Sequence, residues 1–112
     1  MLETRVVDID LLTPEGTIAA FQSLVEGGVQ ALAHSFAIIP QPAMDVAASN
    51  GVPYLHGNTS QASLDLMKSD AKKYRNIFQI DVAETYYGAG FVKFLSNQKA
   101  AGWTPKNNRV HI

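Results

Sequence analysis

The sequence predicts an α/β fold, a three-layer sandwich with helices packed around a mostly parallel sheet. Three observations carry this expectation. Short runs rich in β-branched and aromatic residues alternate four times with segments of helical period, the links between them are short, and glycines and prolines punctuate the junctions. A parallel strand–helix–strand connection is right-handed in nearly all proteins, so the alternation implies crossovers with helices on both faces of one sheet.

The elements follow in order. Residues 5–9 (RVVDI) form a β-branched run that ends in Asp10 and is expected to be the first strand. Thr13 and Pro14 then supply an N-cap and a first-turn residue, and Ile18, Phe21, Leu24 and Val25 recur at helical spacing until Gly27-Gly28 stops the helix. Residues 29–33 (VQALA) are the second strand. Pro40 and Pro42 open a second helix whose buried stripe is Met44, Ala47 and Ala48, closed by Asn50-Gly51, and residues 52–56 (VPYLH) are the third strand.

Residues 62–67 predict a short helix, and the charge-rich stretch 68–75 a solvated surface loop. A fourth strand is expected at 76–80 (NIFQI), then a longer helix over 84–99 with Tyr87, Phe91, Phe94 and Leu95 on its inner face. Gly102, Pro105 and Asn107-Asn108 break the chain, and residues 109–112 (RVHI) look like the first half of a further strand. The 112 residues read as one unit that starts and stops inside something larger.

Composition narrows the function classes. With 46% hydrophobic and 17% charged residues, the chain has the make-up of a folded domain rather than a disordered tail. Nine Lys plus Arg against ten Asp plus Glu give a net charge of -1 with no basic run, which argues against a nucleic-acid partner. The absence of cysteine removes disulfides, thiolate metal sites and a cysteine nucleophile together. No apolar run reaches the ~20 residues of a membrane span. No GxGxxG, P-loop or GxSxG motif is present, so neither a cofactor nor catalysis is expected. His34 and His56 each follow a strand but lack a ligand partner at metal-binding spacing, so no metal site is expected either.

Polar residues directly after a buried parallel strand stand where open α/β sheets bind small molecules, and Asn58, Thr59 and Ser60 occupy such a crest after His56. Around this crest the chain resembles the first lobe of periplasmic solute-binding proteins of the branched-chain amino acid class, the type I periplasmic binding fold. The resemblance runs through LVEGGVQALAHS, QPAMDVAASNGVPYLHGNTSQASL, YRNIFQID and GAGFVKFL. It implies a two-lobed receptor that closes on a small amino-acid-like or carboxylate solute and delivers it to the membrane permease of an ABC importer, without chemistry, in the periplasm. This chain would hold a partial first lobe, truncated at both ends, with the second lobe absent.

The resemblance also implies which residues meet the solute. Asn58, Thr59 and Ser60 match the segment whose amides and hydroxyl hold a ligand carboxylate, while Ser and Thr at this position can equally cap the helix that follows. The other loop carries Ser35, Phe36 and Ala37, then Ile38 and Ile39, where these receptors show serines. Apolar surface in place of hydroxyls suits a solute with a larger hydrophobic part, or core packing of Phe36 and Ile38. Tyr86 is the aromatic expected near the cleft mouth, and Tyr87 falls on the core stripe. Two other readings of the same pattern stay open: a flavodoxin- or receiver-like signalling domain using Asp8 or Asp10, and a cytoplasmic amide or amino-acid sensor. Open strand edges and apolar faces further predict self-association.

Overall fold

Why three short strands and four helices assemble here is visible in a computed structural model that describes residues 3–107. Helix α1 spans Pro14–Glu26, strand β1 Leu32–His34, helix α2 Pro40–Asn50, strand β2 Tyr54–His56, helix α3 Gln61–Ser69, strand β3 Ile77–Gln79 and helix α4 Thr85–Ala100. The strands lie in the order β1-β2-β3, all parallel, with Leu32, Tyr54 and Ile77 in one register row and His34, His56 and Gln79 in another. The α/β class and parallel sheet are those expected from the sequence.

Side chains alternate across a strand, so Leu32, Tyr54 and Ile77 share one face of the sheet. They are buried there against Phe21 of α1 and Ala43, Met44, Val46 and Ala47 of α2. The Phe21 ring meets Tyr54 edge-on with centroids 5.1 Å apart. On the opposite face stand Ala33, Leu55 and Phe78, and no described element covers them: Leu55 is 39% exposed and Phe78 49%.

Local chemistry sets the helix ends. The Thr13 hydroxyl accepts the Gly16 amide at 3.1 Å and itself donates to the Asp10 carboxylate, whose other oxygen accepts the Leu12 amide. Gly51 closes α2 in the left-handed conformation, φ 65°, where a Cβ would be strained. Asn76 ties the entrance of β3 to α2 by donating to the carbonyls of Ala47 and Val52.

Four expectations change in detail. Residues 5–9 form no strand: among the described residues they pair with no other segment, Val6 is 91% exposed, and Arg5 instead donates to the Gly27 carbonyl. A β-branched run becomes a strand only when a ladder receives it. The stretch 68–75 is not a solvated loop throughout, because Tyr74 is buried in the core cluster and its hydroxyl donates to Asp45 at 2.6 Å. Lys73 completes this tie with a 2.7 Å ion pair to Asp45. The last helix forms, yet none of its side chains is buried; Tyr87, Phe91 and Phe94 are each about half exposed, so the stripe expected to face inward faces none of the described core. The radius of gyration, 18.7 Å, accordingly exceeds the ~13 Å of a compact chain of this length. Finally, each strand is a three-residue ladder, shorter than its predicted run. The strand expected at 109–112 lies outside the described residues.

Candidate functional site

Three loops leave the carboxyl ends of the parallel strands side by side: residues 35–39 after β1, 57–60 after β2 and 80–84 after β3. They form one structure because the sheet's hydrogen bonding continues a step beyond the strands. The Gly57 amide donates to the His34 carbonyl at 3.1 Å and the Ile80 amide to the His56 carbonyl at 2.9 Å. Beyond these, the Glu84 amide donates to the Thr59 carbonyl at 2.7 Å, and the Glu84 carboxylate accepts the Gln61 amide at the start of α3.

Each sequence-derived candidate has a definite place in this assembly. Asn58 is 2% exposed, and its side-chain amide donates to the Ala37 carbonyl at 3.2 Å and to the Ser63 hydroxyl at 3.3 Å. Its side chain thus joins the first loop to α3. The Ser60 hydroxyl accepts the Ala62 amide at 3.2 Å, making Ser60 the N-cap of α3. Thr59 is half-buried. Ser35 and Phe36 are exposed, Ala37 is buried with its carbonyl engaged by Asn58, and Tyr86 is exposed on the first turn of α4. Ser35, Asn58, Thr59 and Ser60 therefore belong to one loop cluster, with Tyr86 following its third loop.

An open groove of about 540 Å³ runs along this edge on the bare side of the sheet, lined by Ala33, His34, Ser35, Leu55, Gly57, Ile80 and Asp81. Its size falls in the range of small-molecule sites, and its walls combine an apolar floor with a few polar groups. Another depression, about 420 Å³, lies at the opposite ends of the strands among Ala48, Gly51, Asp70, Lys72, Lys73, Arg75 and Asn76. Ligands of open α/β sheets sit outside the carboxyl ends, and Lys73 in that other depression is already paired with Asp45, so the groove is the candidate site.

Beneath the loops lies the row His34, His56 and Gln79. The Asn58 backbone amide donates to His56 Nδ1 at 3.3 Å, which places the proton of a neutral imidazole on Nε2. His34 Nδ1, His56 Nε2 and Gln79 Oε1 are buried without a hydrogen-bonding partner among the described residues. Burial lowers the pKa of His34; burial and then the neighbouring His34 lower that of His56. Both effects favour the neutral imidazole. Among the described residues no three His, Cys, Asp or Glu side chains are grouped to hold a metal ion.

Sequence reasoning did not single out Gly57, Leu55, Ile80 or Asp81. Gly57 had a signal, since a glycine just beyond a buried strand often marks a close backbone approach. A Cβ there would lie 2.8 Å from the Ser35 carbonyl oxygen. The others emerge only once the register places three strand ends side by side.

No protein-family model matches the chain, and no curated protein matches it. Among solved structures, one from Silicibacter pomeroyi, of a protein assigned as a branched-chain amino acid ABC transporter, superposes with a TM-score of 0.76 at 33% sequence identity. The match covers 85% of this chain but 25% of that protein, so the chain spans about a quarter of its length. The chain has the α/β fold of a piece of a periplasmic binding protein.

Proposed function

We propose that the chain is part of the first lobe of an extracytoplasmic solute receptor that serves an ABC importer. It holds a small amino-acid-like or carboxylate solute reversibly and performs no chemistry on it. The observation that carries this reading is the groove at the carboxyl ends of the parallel strands, lined by Ser35, Gly57 and Asp81 beside apolar Ala33, Leu55 and Ile80, in a chain 33% identical to the Silicibacter pomeroyi protein over the matched segment.

The groove's chemistry suits such a solute. Ser35 and Asp81 supply polar groups to the lining, while Ala33, Leu55 and Ile80 offer apolar surface to the rest of the molecule. Phe36 and Ile38, about half exposed beside Ser35, extend that surface where a hydroxyl-rich loop would serve a smaller, more polar solute. Ser35, Thr59, Ser60 and Tyr86 remain the side chains proposed to edge the site. Asn58 and Ala37 shape it through the bond between them. One lobe of a two-lobed clamp supplies contacts from a single side, so its affinity is weak.

A receiver-like phosphotransfer domain is less well served by this geometry, because both Asp10 carboxylate oxygens are engaged at the start of α1. Isothermal titration with leucine, isoleucine, valine, their amides and small aliphatic carboxylates tests the proposal. Saturable heat from at least one of them is the expected result, and no heat from any, beside phosphorylation of Asp8 or Asp10 by a small phosphodonor, would replace it with the receiver reading.

A further inference from the structure

His56 is 1% exposed at the carboxyl end of β2, directly below the loop of residues 57–60. Its ring is fixed from two sides. The Tyr54 ring lies 5.3 Å away, centroid to centroid, and Nδ1 accepts the Asn58 backbone amide at 3.3 Å. Asn58 in turn donates from its side chain to the Ala37 carbonyl and the Ser63 hydroxyl. One imidazole lone pair therefore holds the residue that joins the loop after β1 to α3.

That bond exists for the neutral ring alone. A protonated imidazole carries N–H on both nitrogens, so Nδ1–H would face the Asn58 N–H, donor against donor. The neighbouring groups do not compensate for the charge. In the same row stand His34 on β1, which acts on His56 through charge and opposes its protonation, and the uncharged Gln79 on β3. Tyr54 beside the ring is kept protonated by burial. The carboxylates of the adjoining loop and helices are engaged elsewhere: Asp81 accepts the Val82 amide, Glu84 the Gln61 amide, Asp65 the Gln61 side chain, and Asp45 pairs with Lys73.

We infer that His56 is a pH-sensitive latch on the loop of residues 57–60: the neutral ring positions Asn58, and the protonated ring lets it go. The transition falls below the ordinary imidazole value of 6.5, because burial and then His34 resist the charge. His56 does not line the groove, so its effect on a solute passes through Asn58, and it is a positioning residue. On the reading that this edge holds a solute, on which this consequence rests, affinity falls as the latch opens. Bound solute in return moves the His56 transition to lower pH, since the coupling is reciprocal.

Imidazole and backbone amide resonances of the isotope-labelled chain, followed without solute from about pH 8 to about pH 5, test the latch. The expected result is an Asn58 amide that moves with the midpoint of the His56 ring, below 6.5, while the amides of residues 70–76 hold still. His34→Gln, at a half-buried position, removes the neighbouring charge, so the His56 and Asn58 midpoints rise together. An Asn58 amide that stays constant while His56 titrates overturns the inference, as does one whose midpoint fails to move with His56 in His34→Gln. So does a shift of all amides together at the His56 midpoint, which would mark unfolding of the whole chain. Isothermal titration with leucine at the two ends of the pH range reads the solute separately. Weaker affinity at the acid end is expected, and equal affinity at both ends overturns the coupling. Absence of heat at either end strikes the solute reading, while the latch stands or falls on the Asn58 amide.

Discussion

An added Cβ at Gly57 would stand 2.8 Å from the Ser35 carbonyl oxygen, and that oxygen belongs to backbone on the wall of the groove. Gly57→Ala is therefore expected to destabilise the fold by about 1–3 kcal/mol, the usual cost of forced overpacking, with the amides of residues 35–37 displaced in a heteronuclear spectrum. Asn58→Ala leaves the Ala37 carbonyl without its side-chain donor and should cost about 1–3 kcal/mol in urea denaturation. The histidines give a pH signature. His34 and His56 have folded-state values below the ordinary 6.5, so the unfolded chain takes up protons first as pH falls. Stability should be level above about 6.5 and decline as pH drops from there toward the lowered folded values. Asp10 and Asp45, lowered from 3.8, add their loss only in more acid solution. For Asp45, burial pushes upward, but the hydrogen bonds from Lys73 and Tyr74 and the Lys73 charge outweigh it. Urea midpoints across a pH series check the order of the two phases; constant stability through the histidine range would contradict it.

Elements differ in how far their own residues determine them. Helix α2 was legible because everything that defines it is local: prolines at its start, the Met44 and Ala47 stripe, and a glycine at its end that adopts φ 65°. Met44→Ala should cost about 2–5 kcal/mol, since the side chain is wholly buried. Tyr74 was missed for the converse reason. One aromatic in a charged turn has no periodicity, and its value lies in reaching Asp45, 29 residues away in the chain. Tyr74→Phe should lower stability by about 1 kcal/mol in the same urea measurement, with Lys73 still paired to Asp45. Helix α4 was legible as a helix but not in its surroundings, because a stripe of aromatics specifies a face to be covered and not what covers it. Residues 5–9 show the same limit in a strand.

At the scale of the molecule, the candidate site is a property of topology. Parallel strands bring three loops to one edge, and the crest at Asn58, Thr59 and Ser60 was visible beforehand because polar residues followed a buried run. Its division of labour was not visible: Asn58 ties loops together and Ser60 caps α3, while the groove also uses Leu55, Ile80 and Asp81 from strands and a loop distant in sequence. We propose that a small solute rests on this edge of the sheet. Backbone amide shifts of the isotope-labelled chain, followed through a titration with leucine and its analogues, test it most directly. Saturable shifts concentrated at Ser35, Gly57, Thr59, Ser60 and Asp81 are expected, with residues 70–76 at the far end of the strands unmoved. Shifts confined to residues 70–76, or none with any of these solutes, would contradict it.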